Sequence, residues 1–402
     1  MNPSLSVAMP THNRARYAIH AIRSLLAMRD DDLEVVVTDT SPVPELERML
    51  RAEHLITDPR LRYVRPAERL DMTGNHNAAV ALATGNYVCL IGDDDTIYRD
   101  ALVAARWASD HDVDVIAPNV VANYVWPDFR SRWFGARHAG RVYFARQIGA
   151  ATVCDVQNAL SDALARAVQG TDGLPKIYHG LVKRSLLLSM RERSGAFFHG
   201  SSPDVSGAIG LALCARRFLV VDYPLTIPGA SGGSNTGRSA LNRHKGRLET
   251  EDQTKAFRDA GWSRGVPRFF SVETVWAHAA LETLGRIRPE AVPRFAFARL
   301  IALCLIKHRE YEAEIEAAAA ESAALQGVDR STFDAQVAAH LRQVRLQELG
   351  RIAKRLLRPT AAGGRAYVGG LETIAAAPKQ VSEYLQRRGA SWNRTVATLV
   401  GT

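Results

Sequence analysis

Short apolar segments alternate with segments of helical periodicity through the first 120 residues of this 402-residue chain. An apolar segment that is followed by a helix and then by another apolar segment is the pattern of βαβ units, which build a doubly wound, mainly parallel α/β sheet. We therefore expect an α/β fold here, with Thr73 as the N-cap of the third helix. Strands are expected at 5–9, 33–37, 61–64, 87–91 and 113–117, and helices at 15–28, 44–51 and 73–83.

Three of these strands are followed by polar residues, at 10–13, 39–41 and 93–95. Open α/β sheets bind ligands at the carboxyl ends of their strands, so these residues are expected to share a site. The run Asp93-Asp94-Asp95 is the most informative, because adjacent carboxylates repel one another unless solvent or a cation offsets the repulsion. Mg²⁺ and Mn²⁺ take carboxylate oxygens together with substrate phosphates, which predicts a metal–diphosphate site. The alternative is a plain acidic turn.

Composition places the chain among soluble proteins. It is 47% hydrophobic and 23% charged, and its longest apolar run, 300–306, is much shorter than a membrane span. There is no secretory signal pattern, and the four cysteines lie far apart without the spacing of a zinc site. We therefore expect a cytoplasmic protein with buried thiols.

The net charge of +9 is concentrated at the C-terminal end. Residues 341–402 carry eleven basic and three acidic side chains, so the remainder is nearly neutral and no nucleic-acid partner is expected. The pattern at 338–358 predicts a basic amphipathic helix, for which two alternatives stay open. Such a helix lies on an anionic membrane surface, or it packs on its own protein with a solvated basic face. A homo-oligomer contact through the helical region is a further expectation.

Two regions are expected along the chain. Residues 1–246 comprise the α/β unit, with 1–120 as a nucleotide-binding half and 121–246 as a second half, and residues 247–402 form a helical C-terminal region. A strand is expected at 176–182, and Ser202 and Pro203 are typical of an N-cap and first helical position. Within the Gly-rich segment 226–246, residues 229–246 are expected to be a mobile loop that closes over a diphosphate, with Arg238, Arg243 or Lys245 as phosphate partners.

With these segments in place, the first 225 or so residues resemble the inverting family 2 glycosyltransferases, which have the GT-A fold. The sequence departs from that family's usual motifs at Thr40, where a second acid is usual, and at His12, where Tyr or Phe is usual. The motifs that carry the resemblance, in order, are Met9-Pro10-Thr11-His12-Asn13-Arg14, Val35-Val36-Val37-Thr38-Asp39-Thr40-Ser41, Asn75-His76-Asn77-Ala78-Ala79, Ala83-Thr84-Gly85-Asn86-Tyr87 and Leu90-Ile91-Gly92-Asp93-Asp94-Asp95.

The resemblance implies a role for each acid of the donor site. Asp95 would bind the cation, Mn²⁺ or Mg²⁺, Asp93 would bind the ribose, and Asp94 would aid either. Asp39 would recognise the nucleobase or the ribose, and the alternative is that it caps a helix.

The remaining implied residues shape the pocket and supply the base. Pro10, Thr11 and Asn13 would line the nucleotide pocket, and Asn77 would bind either the sugar or a loop of its own chain. An inverting transfer needs a carboxylate to accept the acceptor proton, and Asp204 follows Pro203 where the family has it. The alternative is that Asp204 only stabilises the helix dipole. Asp155 and Asp172 are weaker candidates for the base.

The expected function is an inverting, metal-dependent transfer of a sugar from a nucleotide-diphosphate sugar, with UDP-sugars favoured. The acceptor would be a hydroxyl of a glycan, a lipid-linked glycan or a small molecule. Two alternatives stay open: a non-catalytic scaffold that binds a nucleotide or a partner, and a phosphatase of the haloacid dehalogenase type. The motif of the latter normally ends the first core strand, whereas Asp93 follows the fourth.

Overall fold

The computed structural model describes residues 2–68, 70–132, 134–234, 245–251, 253–257, 259, 261–356 and 364–399. The strands are β1 (Leu5–Thr11), β2 (Leu33–Asp39), β3 (Leu61–Val64), β4 (Tyr87–Leu90), β5 (Thr96–Ile97), β6 (Val115–Pro118), β7 (Ala122–Val125), β8 (Arg141–Phe144), β9 (Ala151–Cys154), β10 (Leu181–Lys183), β11 (Phe218–Val221), β12 (Thr226–Ile227), β13 (Gly229–Ala230), β14 (Lys245–Gly246), β15 (Phe270–Ser271) and β16 (Ala366–Val368). The α-helices are α1 (Ala15–Leu26), α2 (Glu45–Ala52), α3 (Met72–Leu82), α4 (Asp100–Asp110), α5 (Val156–Ala165), α6 (Arg184–Ser194), α7 (Pro203–Cys214), α8 (Val272–Ile287), α9 (Phe297–Lys307), α10 (Glu312–Gln326), α11 (Arg330–Leu356), α12 (Ala377–Arg388) and α13 (Trp392–Val396).

The centre of the molecule is an eight-stranded mixed sheet in the order β3-β2-β1-β4-β10-β6-β11-β9. The first four strands are parallel, as are β6 and β11, whereas β10 runs antiparallel between β4 and β6. The expected α/β fold is therefore confirmed. The reversal at β10 matters for the site, because an antiparallel strand begins at the edge where its parallel neighbours end.

Both faces of the sheet are buried, which is why its strands are almost continuously apolar. Val35 and Val37 of β2 contribute to one core, and Val36 between them contributes to the other. Ile22 and Leu25 of α1 cover the first face, while α3, α5 and α7 cover the second. This alternation follows from the two-residue period of a strand.

The C-terminal residues return to the α/β unit. Strand β16 pairs antiparallel with β8 and completes a second sheet in the order β13-β7-β8-β16. Ile374, Val381 and Trp392 are buried in the same core as α1. The expected helices after residue 247 are present as α8 to α13, and the short strands β15 and β16 interrupt them.

Helix α11 covers most of the expected basic helix. Phe333, Val337 and Val344 are buried, and the first two belong to the core that includes α9. Of the two alternatives for this helix, the side chains described up to residue 346 therefore favour packing against the rest of the protein. Among the described helices, none combines the length and the apolar character needed to cross a bilayer.

Two local expectations were wrong. Asp71, not Thr73, caps α3: its side chain accepts a hydrogen bond from the Gly74 amide, while the Thr73 hydroxyl donates to the Gly200 carbonyl at 2.7 Å. The strand expected at 176–182 is only Leu181–Lys183, because the preceding residues form a turn in which the Gly180 amide bonds to the Ile177 carbonyl.

Candidate nucleotide-sugar site

The ends of β1, β2 and β4 lie side by side, as the sequence predicts. Thr11 pairs with Asp39 in the parallel register, and Leu90 at the end of β4 pairs with Ala8. Asp93, three residues beyond Leu90, therefore reaches the level of Thr11, whose hydroxyl donates to its carboxylate at 2.7 Å. Pro10 and Thr11 belong to β1 rather than to a loop, and both are buried.

The three consecutive aspartates are buried, with 5%, 5% and 2% of their surface exposed. Arg14 lies between the first two, with Nε 2.5 Å from Asp93 Oδ1 and Nη2 3.0 Å from Asp94 Oδ2. Burial raises the pKa of Asp93, and burial together with the charge of Asp95 raises the pKa of Asp94 to about 7. One arginine thus faces three carboxylates, and the excess negative charge favours a bound cation.

Asp95 is held by donors on both oxygens. The Gly229 amide donates to Oδ1 at 2.6 Å, and the Gly92 amide donates to Oδ2 at 2.6 Å. The Tyr178 hydroxyl and His179 Nε2 each lie 3.2 Å from Oδ2. Burial opposes ionisation of Asp95, but the imidazole and the two amides outweigh it and lower its pKa. Asp95 is thus the most readily ionised of the three.

Residues 229–231 close one side of the cluster. The amide and hydroxyl of Ser231 both donate to Asp94 Oδ2, at 3.2 and 2.6 Å. Trp126 Nε1 donates to the Asp94 carbonyl at 3.0 Å, and its indole is buried against other aromatic rings. This segment is the described beginning of the expected mobile loop. Arg238 and Arg243 lie outside the described residues, and Lys245 forms an ion pair with Glu310 on the surface.

Asp39 is 1% exposed and does not cap a helix, because α2 begins after Pro44 and has no side-chain cap. Its Oδ1 instead accepts bonds from the amide and hydroxyl of Ser41, and its Oδ2 accepts one from the Tyr63 hydroxyl at 2.7 Å. Arg65 Nη1 lies 3.6 Å from the same oxygen and is buried without a hydrogen-bond partner among the described residues. The capping alternative is therefore wrong.

The two asparagines have different positions. Asn13 is exposed at the rim of the site and has a left-handed backbone (φ 56°). Its backbone amide donates to the Ser41 hydroxyl at 2.8 Å. Asn77 is saturated by backbone groups: its Oδ1 accepts from the amides of Phe197 and Phe198, and its Nδ2 donates to the carbonyls of Thr73 and Phe198. Of the two alternatives for Asn77, the structure favours the contact with a loop of its own chain.

Asp204 lies in the first turn of α7, after Ser202 and Pro203 as expected. It lines a cleft of about 140 Å³ together with Lys176 and with Tyr178 and His179, the two side chains that contact Asp95. The expected base therefore shares a cleft with two side chains that contact the aspartate cluster, although none of the three aspartates lines the cleft. Asp155 caps α5 by accepting bonds from the amides of Gln157 and Asn158, which gives it a structural role.

The donor set fits a cation that is shared with a ligand. Within the described ranges no three His, Cys, Asp or Glu side chains are grouped as a complete metal cage. Asp95 and His179 supply one carboxylate and one imidazole, and Mg²⁺-type sites commonly use one or two carboxylates with substrate phosphates and water. The residues present are therefore compatible with a metal–diphosphate site.

The sequence did not single out Arg14, Tyr178, His179 or Ser231. Arg14 is the last residue of the first motif, and that position was the available signal. The others are brought to the site by the reversed strand β10 and by the return of the chain at β13, which local sequence patterns do not reveal.

Comparison with known proteins finds a family match in the first part of the chain. Residues 6–154 match the family model described as Glycosyl transferase family 2. This segment is similar to the family 2 glycosyl transferases. The motifs that predicted the family lie within it, so the prediction is confirmed for residues 6–154.

Curated relatives of the family 2 domain cover only part of the chain. A putative colanic acid biosynthesis glycosyl transferase of Escherichia coli is 33% identical over 94 residues, which are 23% of this chain and 33% of the relative. A chondroitin synthase of Escherichia coli is 23% identical over 209 residues, which are 49% of this chain and 28% of the relative. The chain thus spans about a third or less of the length of these relatives.

A solved structure of S. aureus TarS 1-349 in complex with UDP-GlcNAc is also similar, with 16% sequence identity and a TM-score of 0.44. The similarity covers 82% of this chain and 93% of that one.

Proposed function

We propose that the protein is an inverting glycosyltransferase that moves a sugar from a nucleotide-diphosphate sugar, with UDP-sugars favoured, to a hydroxyl acceptor in glycan biosynthesis. The family 2 match over residues 6–154 supports the reaction class. One observation carries the proposal: Asp204 lines a cleft together with Tyr178 and His179, the side chains that contact Asp95 of the buried aspartate cluster.

The donor half of the site accounts for the nucleotide and the diphosphate. Asp39, which is fixed by Tyr63 and lies within ion-pair distance of Arg65, would accept hydrogen bonds from the base or ribose, and Asp93 would accept them from the ribose. Thr11 and Arg14 keep Asp93 in place. Asp95 would hold Mn²⁺ or Mg²⁺, which when bound offsets the charge that develops on the departing diphosphate.

The acceptor half of the site would supply the base. Asp204 is only partly buried and faces the cleft, where a hydroxyl group could reach it. Its carboxylate would take the proton from the attacking hydroxyl on the side of the sugar opposite the leaving diphosphate, which gives inversion. The Ser202 hydroxyl bonds to Asp204 Oδ1 and orients the carboxylate.

Donor binding is the first test. Thermal melting of the protein with a panel of nucleotide sugars, with and without Mn²⁺, should show stabilisation by the true donor, because a ligand that binds the native state raises its melting temperature. Asp95→Asn should lose the Mn²⁺-dependent part of that shift. No stabilisation by any nucleotide sugar or nucleoside diphosphate would contradict the proposal.

Turnover of the identified donor tests the base. Asp204→Asn should lower transfer at least about 100-fold, a typical loss for a general base, while the donor still raises the melting temperature. Asp155→Asn is the matched control, because Asn also caps helices well and the carboxylate lies outside the cleft. Full transfer by Asp204→Asn would place the base elsewhere. Donor binding without transfer or hydrolysis by the unaltered protein would favour a binding scaffold.

A further inference from the structure

His179 occupies an unusual backbone position at the edge of the aspartate cluster. Its φ is 62°, in the left-handed region that only a few per cent of non-glycine residues adopt, although histidine is more common there than most. The turn is fixed by two bonds to β4: the His179 amide donates to the Leu90 carbonyl at 2.9 Å, and the Leu90 amide donates to the Ile177 carbonyl at 3.0 Å. Backbone strain of this kind persists where the surrounding structure imposes it, and it is concentrated at functional sites.

The imidazole is placed as a ligand would be. Nε2 lies 3.2 Å from Asp95 Oδ2, and the side chain is 14% exposed toward the cleft. Nδ1 is buried and has no hydrogen-bond partner in the described part of the chain. A purely structural histidine would gain from pairing both nitrogens, so this side chain combines two unfavourable features, strain and an unpaired nitrogen.

We propose that His179 Nε2 is a protein ligand of the divalent cation, next to Asp95 Oδ2, so that the cation site consists of one imidazole and one carboxylate before the diphosphate binds. This inference rests on the proposed function. Bonds of about 2.1 Å to an octahedral ion place neighbouring ligand atoms about 3 Å apart, close to the observed 3.2 Å.

The surrounding residues are consistent with this assignment. The carboxylates of Asp93 and Asp94 are already shared with Arg14 and Ser231, whereas His179 is the one basic side chain within ion-pair distance of Asp95 among the described residues. A bound cation would also offset the excess negative charge of the cluster. An imidazole ligand favours transition-metal ions over Mg²⁺, so the site should prefer Mn²⁺ to Mg²⁺.

Electron paramagnetic resonance of Mn²⁺ tests the assignment without an activity measurement. Titrations with Mn²⁺, alone and with UDP, give the dissociation constant, and pulsed spectra report coupling to the ¹⁴N of an imidazole ligand. The unaltered protein should show this coupling. His179→Gly should abolish it and raise the Mn²⁺ dissociation constant at least tenfold.

The glycine variant also separates ligation from folding. Glycine accepts φ 62° without strain, which offsets part of the loss of the imidazole contact with Asp95, so metal-free His179→Gly should still unfold in one cooperative transition. The matched control is His54→Gly, because His54 also has a left-handed backbone, at φ 55°, but is exposed and remote from the cluster. This control should leave both the coupling and the Mn²⁺ affinity unchanged.

Each other outcome overturns a specific statement. Mn²⁺ binding that depends on Asp95 but shows no ¹⁴N coupling would overturn the role of His179 and leave the proposed function intact. Unchanged Mn²⁺ affinity in His179→Gly would do the same. Absence of Mn²⁺ binding, even with UDP, would overturn both this inference and the metal dependence of the proposed function.

Discussion

Replacement of Asp94 by asparagine should make the stability of the protein less dependent on pH. Asp94 is buried beside two other carboxylates, and burial and the charge of Asp95 raise its pKa to about 7 despite Arg14. Because the pKa is raised in the folded state, the folded protein binds this proton more tightly than the unfolded chain does. The resulting stabilisation is present below about pH 4 and is lost as the pH rises through 7.

The size of the effect follows from the shift. The pKa of Asp94 rises from 3.8 to about 7, and each pKa unit corresponds to about 1.4 kcal/mol. Ionisation of Asp94 above pH 8 therefore lowers the free energy of unfolding by roughly 4 kcal/mol. The asparagine side chain of the variant would not titrate, yet its oxygen could still accept the bonds from Ser231. Asp94→Asn should therefore match the unaltered protein near pH 4 and exceed it by up to about 4 kcal/mol at pH 8.5.

Urea unfolding in the presence of a chelator, at intervals from pH 4 to 8.5, measures this difference. Titration of groups outside the aspartate cluster cancels when the two proteins are compared at the same pH. A difference that stays constant within about 1 kcal/mol over the range would refute the reasoning, because it would show that Asp94 is ionised at no cost. Addition of Mn²⁺ with a nucleoside diphosphate should shrink the difference, since a bound cation favours the charged carboxylate.

Three further predictions concern buried residues that stabilise the fold or contact the aspartate cluster. Asn77→Ala should lower the unfolding free energy by about 2–4 kcal/mol in urea, because buried backbone groups of residues 197 and 198 lose their partners. Glu273 has a pKa of about 2 because bonds from His308 and Lys307 outweigh its burial. Glu273→Gln should therefore cost about 3 kcal/mol at pH 7, a loss that diminishes as the pH falls from 4.5 toward 2. Gly229→Ala should unfold more easily by about 3 kcal/mol and lose donor binding, since its Cβ would lie 1.8 Å from the Asp94 carbonyl oxygen; Gly285→Ala, in open space on α8, should be neutral or slightly stabilising.

Much of the α/β fold, and the positions of Asp39, Asp93 and Asp204 along the chain, were predictable because they depend on short stretches of sequence. The alternation of apolar and helical segments predicted β1 to β4 and the helices between them. In a parallel sheet, strand ends meet at one edge, so Asp39 and Asp93 were expected to be near each other before any contact was known. Pro203 likewise marked the start of α7 and so the position of Asp204.

Predictions failed where a residue's role depends on a distant partner. Thr73 has a good residue type for a cap, but its hydroxyl bonds to Gly200, 127 residues away, and Asp71 caps the helix instead. For Asn77 the sequence left a sugar contact and a contact with a loop of its own chain open, and only the tertiary structure shows that the 197–198 backbone bonds to its side-chain amide. These competing partners are invisible to a local pattern.

The sequence by itself determined that three aspartates follow a buried strand, and it predicted a cation at that edge of the sheet to offset their charge. Only the tertiary structure decided which charges and donors surround each of them. Arg14 forms ion pairs with Asp93 and Asp94, whereas the reversed strand β10 brings His179 and Tyr178 into contact with Asp95. The physical reason is that strand direction is set by pairing with β4 and β6, which are far from residues 178 and 179 in the chain.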